Sequence, residues 1–346
     1  MPEQAIATGD IDQTGALAAW LTREVEGFAG PLTLTRFSGG QSNPTWRLDT
    51  PSRSYVLRAK PPGRLLPSAH AVDREFRVMR ALKGSGVPVP EVLALCEDEG
   101  VIGRMFYVME HVPGRIFFDQ RLPGMSRGER AAIFDDMNRV IARLHSLRPA
   151  DLGLDDFGKH GAYMTRQVGR WTKQYRASET APNPAMEKLI EWLPAHLPEE
   201  RKVGVIHGDY RLDNLMLHPT EPRVVAVLDW ELSTLGDPMA DFAYHALSWR
   251  VSPDLFRGLA GVDFAALGIP DEDTYVARYL ERTGQSRPGN WEFYLAFSLF
   301  RIAAILQGIA KRAEEGTAAD SRAAETGALA RPLSELAWRL AQEAEG

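Results

Sequence analysis

Apolar positions change period along the chain, and those changes divide it. Over residues 12–28, Leu17, Trp20, Leu21, Val25 and Phe28 recur at helical intervals, which predicts an amphipathic opening helix ended by Pro31. The pattern then shortens to strand-like runs at 32–37, 45–48 and 55–58, with Ser38-Gly39-Gly40-Gln41-Ser42-Asn43 as a polar turn between the first two. Helical spacing returns over 69–83, where Val72, Phe76, Met79 and Leu82 share a side. Gly84-Ser85-Gly86 stops that helix, and Pro88 and Pro90 keep the next segment extended. Strands are expected at 91–95 and 104–109, before the turn Pro113-Gly114. Beyond it the chain reads as helices at 126–147, 162–178, 184–193, 239–250, 272–283, 291–315 and 320–344. The exception is 203–227, where apolar runs at 204–206 and 224–228 bracket a polar motif. The expectation is an α+β, two-lobed chain: a β-rich N-terminal lobe over 1–112 with one long helix, and a larger α-rich C-terminal lobe over 113–346.

The polar motif carries the chemistry. It reads Val205-Ile-His-Gly-Asp-Tyr-Arg-Leu-Asp-Asn-Leu-Met216, followed by Val225-Ala-Val-Leu-Asp-Trp-Glu231. Asn214 lies five residues after Asp209, and Asp229 fifteen after Asn214, each cluster trailing a strand-like run. Two carboxylates and an amide in this order can divide one piece of chemistry between them. One carboxylate orients an attacking hydroxyl and takes its proton, while an amide oxygen and a second carboxylate hold Mg²⁺, which prefers hard oxygen ligands. As a bare pattern, the same residues also suit a solvated turn with Asp229 capping a helix.

Upstream, Arg58 ends an apolar strand and Glu75 borders the inward face of the 69–83 helix. A buried carboxylate is costly without a cation, and Arg58 is the expected partner. Lys60 is the alternative, but strand alternation and its place before Pro61-Pro62 favour Arg58. Helix 162–178 spaces Arg166, Arg170 and Lys173 beside Trp171 and Tyr175, which suits either an anionic substrate or a solvated face. His145 is expected to be a satisfied helix residue. Asp237 and Asp241 stand at the start of the next helix, where N-capping is one reading of both and the favoured one for Asp241.

Composition narrows the partners. Forty Lys and Arg against 46 Asp and Glu give a net charge of −6, which argues against an electrostatically driven nucleic-acid or membrane partner. The single cysteine, Cys96, excludes an internal disulfide and a multi-cysteine zinc site. Glu3, Asp10 and Asp12 interrupt the start, no secretory signal is visible, and a soluble, cytoplasmic protein is expected. The most apolar stretch, 291–310, is broken by Glu292, Arg301 and Gln307 and reads as a buried helix rather than a membrane span.

The ordered trio Asp209, Asn214 and Asp229 between two β-like runs resembles the kinase-type apparatus. With His-Gly-Asp at 207–209, it resembles the aminoglycoside phosphotransferase and choline kinase-like family over roughly residues 15–310. That resemblance implies a bilobal protein-kinase-like fold, ATP and Mg²⁺ as cofactors, Asp209 as catalytic base, Asn214 and Asp229 as metal ligands, and His207 as a loop brace. It implies that Arg58 stands where kinases place a phosphate-pairing Lys, with Glu75 as its partner. It puts Ser38, Gly39, Gly40 and Ser42 in the phosphate-cradling loop, which as a bare pattern is also an ordinary hairpin turn. Phe106–Val112 falls at the hinge, where the backbone of Glu110 and Val112 would pair with adenine and Met109 would line the pocket. Arg211 takes a cationic position near the transferred phosphoryl group, and a carboxylate at Asp237 or Asp241 would bond the catalytic-loop backbone.

The segments 56–75 and 231–238 resemble a sub-branch found beside, or fused to, acyl-CoA dehydrogenases. This implies a small-molecule hydroxylated substrate, with a hydroxyacyl-CoA favoured, and a functional link to an acyl-CoA dehydrogenase. Arg64, Arg74, Arg166 and Arg170 are available for an anionic acceptor. Asp271, Glu272 and Asp273, interleaved with Arg278, Arg282 and Arg287, are available for a polycationic one. The alternatives are an aminoglycoside phosphotransferase and a nucleotide-binding pseudokinase or regulatory protein. A protein kinase is disfavoured, since no Ala-Pro-Glu segment follows Asp229.

Overall fold

A computed structural model describes residues 11, 13–37, 43–62, 70–199, 202–318 and 321–345. In chain order these form α1 (Thr14–Glu24), β1 (Thr33–Arg36), β2 (Thr45–Asp49), β3 (Ser54–Ala59), α2 (Val72–Leu82), β4 (Val92–Cys96), β5 (Phe106–Glu110), α3 (Arg127–Ser146), α4 (Tyr163–Ser178) and α5 (Pro184–Ala195). They continue with β6 (Gly204–Ile206), β7 (Leu215–Leu217), β8 (Val224–Val227), β9 (Thr234–Gly236), α6 (Pro238–Ala246), α7 (Pro253–Phe256), α8 (Phe264–Leu267), α9 (Glu272–Thr283), α10 (Trp291–Glu314), α11 (Ala323–Ala328) and α12 (Ala330–Glu343).

Residue contacts group the chain into two units, one of residues 1–116 with 213–233, the other of 117–212 with 234–346. The first is built on an antiparallel sheet ordered β1-β2-β3-β5-β4. Strand alternation sorts its side chains. Tyr55, Leu57 and Ala59 of β3 and Phe106 and Val108 of β5 join Leu17, Trp20 and Leu21 of α1 in one apolar cluster. Trp20 stands edge-on to Phe106 at 4.9 Å. The opposite parity, Arg58 on β3 and Tyr107 on β5, faces α2, where Phe76 lies 6.2 Å from Tyr107. This puts Arg58 on the same side of the sheet as Glu75.

The hairpin β7–β8 belongs to this first unit, not to the helical lobe in which its sequence position was expected to put it. Backbone bonds explain the grouping: Arg115 and Leu217 exchange N–H and carbonyl at 2.8 Å, and the Val227 N–H donates to Pro88 O at 2.9 Å. The strand pairing also differs from a simple bracket. β7 pairs with β8, whereas β6 pairs with β9 of the second unit.

The second unit is helical around α10, which meets α4, α5, α6, α11 and α12. α10 is long and apolar enough to cross a membrane, but 72% of its most apolar window is buried, as suits a core helix. The expected helix 239–250 gives way to a 3₁₀ turn, Leu247–Trp249, after α6. The expected tail helix is two, α11 and α12.

Candidate active site

In the first unit, α2 buries Glu75 at 1% exposure. Its carboxylate lies 3.0 Å from Arg58 Nε and accepts from Asn43 Nδ2 at 2.8 Å and from the Tyr107 hydroxyl at 3.3 Å. Burial pushes this carboxyl up to about 7, against the pull of the Arg58 guanidinium. Arg58 Nη2 also donates to Asp229 Oδ1 at 2.5 Å and lies 4.0 Å from Glu231. Three carboxylates therefore surround one guanidinium. Asn43 joins them, donating weakly to Glu231 at 3.4 Å while its carbonyl oxygen meets His70 Nδ1 at 3.0 Å.

The β7–β8 hairpin sets the two candidate metal ligands at one end. Leu215 pairs with Val227, and the next backbone bond, Leu228 N–H to Asn214 O at 2.9 Å, closes the ladder beside Asp229. Asp229 has left-handed backbone, φ 64°, unusual for a non-glycine residue and typical of strained functional positions. A 3₁₀ turn follows, but the Asp229 side chain makes no capping bond to it. The capping alternative therefore fails, and the carboxylate is aimed at Arg58. The ladder thus brings the backbones of Asn214 and Asp229 within one step of each other, and an amide oxygen and a carboxylate are ligand types that suit Mg²⁺, which usually takes one or two protein oxygens with water and phosphate.

In the second unit, β6 delivers His207-Gly208-Asp209. Gly208 has φ 82°, which turns successive N–H groups the same way. The His207 and Gly208 N–H groups both donate to Asp241, each at 2.8 Å. Burial alone would raise the Asp241 carboxyl, but bonds from His145 and charge from His145 and His207 hold it below its usual value. His145 bridges Asp241 Oδ2 at 3.1 Å and the Tyr279 hydroxyl at 2.8 Å. The favoured reading of Asp241 as a cap is thus corrected. Asp237 is the cap, bonding Met239 N–H at 2.8 Å because Pro238 fixes the first helical position, and Asp241, one turn on, faces the loop.

Asp209 accepts from the Tyr244 hydroxyl at 2.7 Å on Oδ1, and Arg211 Nε lies 3.2 Å from Oδ2. Its N–H donates to His207 Nδ1 at 3.2 Å. Arg301 of α10 donates to Gly208 O at 2.6 Å. Tyr244, Arg301, Asn43 and Glu231 went unnamed as site residues in the sequence. Glu231 had a signal, standing two residues after Asp229, Asn43 closed the polar turn, and Arg301 was a charge within the helix read as buried; Tyr244 had none.

The remaining expectations fall out unevenly. Met109 is buried on β5 across from Val56. Glu110 ends that strand, with its N–H on Glu91 O and its carboxylate on Glu91 N–H, both at 2.9 Å; Val112 follows, half-buried. Ser38, Gly39, Gly40, Ser42 and Arg64 lie outside the described residues. Lys60 lies just past β3, its N–H bonded to Met105 O. On α4, Arg170 and Lys173 are exposed while Trp171 and Tyr175 are buried, which gives the stripe a solvated side. The acidic run at 271–273 is already engaged. Asp271 caps α9, Glu272 meets Arg250 and the Trp291 indole, and Asp273 meets Arg287.

A family model described as the phosphotransferase enzyme family matches residues 33–295. Acyl-CoA dehydrogenase family member 10 of Mus musculus is 52% identical over 314 residues, covering 90% of this chain and 29% of that protein. Acyl-CoA dehydrogenase family member 11 of Rattus norvegicus is 43% identical over 336 residues, covering 94% and 43%. This chain therefore spans less than half the length of these relatives. A crystal structure from Ralstonia eutropha JMP134, provisionally named an aminoglycoside phosphotransferase, is 57% identical with a TM-score of 0.89, covering 95% of this chain and 98% of that one. The fold is the kinase-like one of these phosphotransferases, with a β-sheet N-terminal lobe and a helical C-terminal lobe. From the matched span and the shared architecture together, the chain belongs to the phosphotransferase enzyme family.

Proposed function

We propose that this protein transfers the γ-phosphoryl group of MgATP to a hydroxyl of a small-molecule acceptor, with a hydroxyacyl-CoA as the favoured acceptor. The observation that supports this reading is the hairpin end, where Asn214 and Asp229 lie one ladder step apart and the Asp229 carboxylate meets Arg58. These two residues would hold Mg²⁺, whose charge, when bound, offsets that of the triphosphate oxygens. Arg58, planar and always charged, would clamp phosphate oxygens. Asp209 would orient the acceptor hydroxyl and take its proton as the oxygen attacks phosphorus, with Arg211 beside the transferred group.

Two names among the relatives point to different acceptors. Acyl-CoA dehydrogenase family members favour an acyl metabolite and a role beside a dehydrogenase; the Ralstonia eutropha protein's name favours an aminoglycoside. The engagement of Asp271, Glu272 and Asp273 by caps and ion pairs supports the first, since a polycation needs carboxylates to spare. A coupled ADP-release screen over hydroxyacyl-CoAs, sugars, amino alcohols and aminoglycosides tests it. Turnover should appear with the hydroxyacyl-CoAs, and Asp209→Asn should lower kcat by about 10²-fold or more while sparing ATP affinity. Turnover confined to aminoglycosides would reassign the acceptor. Tight ATP binding with no transfer to any hydroxyl would make the protein a nucleotide sensor.

A further inference from the structure

Within the first unit, the candidate metal carboxylate is already engaged by a cation. Asp229 Oδ1 accepts from Arg58 Nη2 at 2.5 Å, and among the described residues Arg58 is its one polar partner. The guanidinium is fixed from its other end. Arg58 Nε lies 3.0 Å from Glu75 Oε2 and 3.3 Å from Oε1. Asn43 donates to Oε1 at 2.8 Å and the Tyr107 hydroxyl to Oε2 at 3.3 Å, so a neutral donor sits on each oxygen of Glu75. Arg58 therefore spans two carboxylates, Glu75 at one end and Asp229 at the other, with Glu231 4.0 Å away.

That span bears on any cation Asp229 would take. The bond occupies one carboxylate oxygen and leaves the second, so no ligand position is blocked. What changes is the charge. A fixed guanidinium in contact with the carboxylate offsets its field and repels a divalent ion a few ångströms away. A nucleotide reverses the balance, because its phosphates bring several negative charges for Arg58 and a divalent ion to share.

We propose that Arg58 makes metal binding at Asp229 conditional on nucleotide, by offsetting that carboxylate's charge until phosphates arrive. This deepens the proposed function and rests on its reading of Asp229 as a metal ligand. Metal and nucleotide then bind as coupled partners, each raising the protein's affinity for the other.

The test uses Mn²⁺ alone, followed by electron paramagnetic resonance in nucleotide-free protein. Deleting Arg58 by itself strands Glu75, so Glu75→Gln is compared with the double variant Glu75→Gln, Arg58→Met. The double variant should bind Mn²⁺ about tenfold or more tighter than the single one, and adding Asp229→Asn should abolish the gain. Equal affinities, or a gain that survives Asp229→Asn, overturn the proposal. The wild-type chain gives a second readout that needs no folded variant. In crystals soaked with Mn²⁺, anomalous scattering should place metal at Asp229 when ADP is also present and not when it is absent. Metal at Asp229 without ADP overturns the proposal, and metal at Asp229 in neither crystal overturns it together with the ligand assignment. None of these measurements needs a phosphoryl acceptor. A chain that phosphorylates nothing yet shows the Mn²⁺ gain loses its proposed function and keeps this coupling. One that turns over while the variants bind Mn²⁺ equally keeps the function and loses the coupling.

Discussion

Arg58 answers to more than one carboxylate, and that crowding gives the first stability prediction. Removing it as Arg58→Met strands Glu75 in the interior beside Asp229 and Glu231. Breaking a buried pair by deleting one partner costs about 3–5 kcal/mol. The loss should depend on pH. Glu75 already holds its proton up to about 7 against an ordinary 4.5, so the folded state binds that proton more tightly than the unfolded chain does. Stability drawn from the neutral form is complete below about 4.5 and drains as the pH rises through about 7. Urea unfolding should therefore find Arg58→Met far weaker than wild type at alkaline pH and nearer to it in acid; an equal deficit at both would contradict the assignment. The pairing of Arg58 with Glu75 was legible in the sequence, because a charge on the inward side of a periodic helix demands a counter-charge. The roles of Tyr244 and Arg301 were not. Each sits on a helix far along the chain from Asp209, and no local pattern says which distant helix face will meet a loop.

At the level of elements, the β7–β8 hairpin makes the two candidate ligands a single device. Leu215 and Val227 pair, and the ladder ends with Asn214 and Asp229 side by side. Loss of either should therefore have the same consequence. In calorimetric titration, Asn214→Ala and Asp229→Ala should both weaken nucleotide binding in the presence of Mg²⁺ by about tenfold or more, the size expected from a lost charged or metal-directed contact, and change it little without the ion. Unaltered MgATP titrations would remove these residues from the metal. Most long helices were readable from period alone, and α9 falls where its spacing put it. The short strands β7 and β9 were not: unlike the equally short β6, whose apolar run stood out, β7 lies inside the polar motif and β9, Thr-Leu-Gly, carries a single large apolar side chain. The inversion of Asp237 and Asp241 has a similar origin. Both sit at a helix start, and only the tertiary position of the β6 loop distinguishes a cap from a brace.

For the whole molecule, acid sensitivity should come from the helical unit's aromatic interior. His245 is packed among Tyr210, Trp249 and Tyr275, bonded to the Tyr275 hydroxyl at 2.7 Å, and burial pushes its imidazole down to about 4 from 6.5. The unfolded chain takes up a proton below 6.5 that the folded state refuses until about 4. Stability is therefore lost as the pH falls through that window, by about 3 kcal/mol at most from this group. Replacing the residue, as in His245→Gln, should flatten the decline in unfolding free energy between those limits, and a parallel decline would assign the acid loss elsewhere. The division into a β-rich part and a helical part was visible in the change of hydrophobic period. Where residues 213–233 would lodge was not, because backbone bonds to Arg115 and Pro88 decide it.

That lodging bears on how the protein can be dissected. The sheet unit is assembled from two stretches of chain, 1–116 and 213–233, and the second contributes the hairpin with Asn214 and Asp229. A gene truncated after the first stretch would encode a sheet without its hairpin, and Arg58 would lose two of its three acidic neighbours, Asp229 and Glu231. The natural place to nick the polypeptide and ask for two-piece reassembly is thus within 117–212, with both fragments supplied.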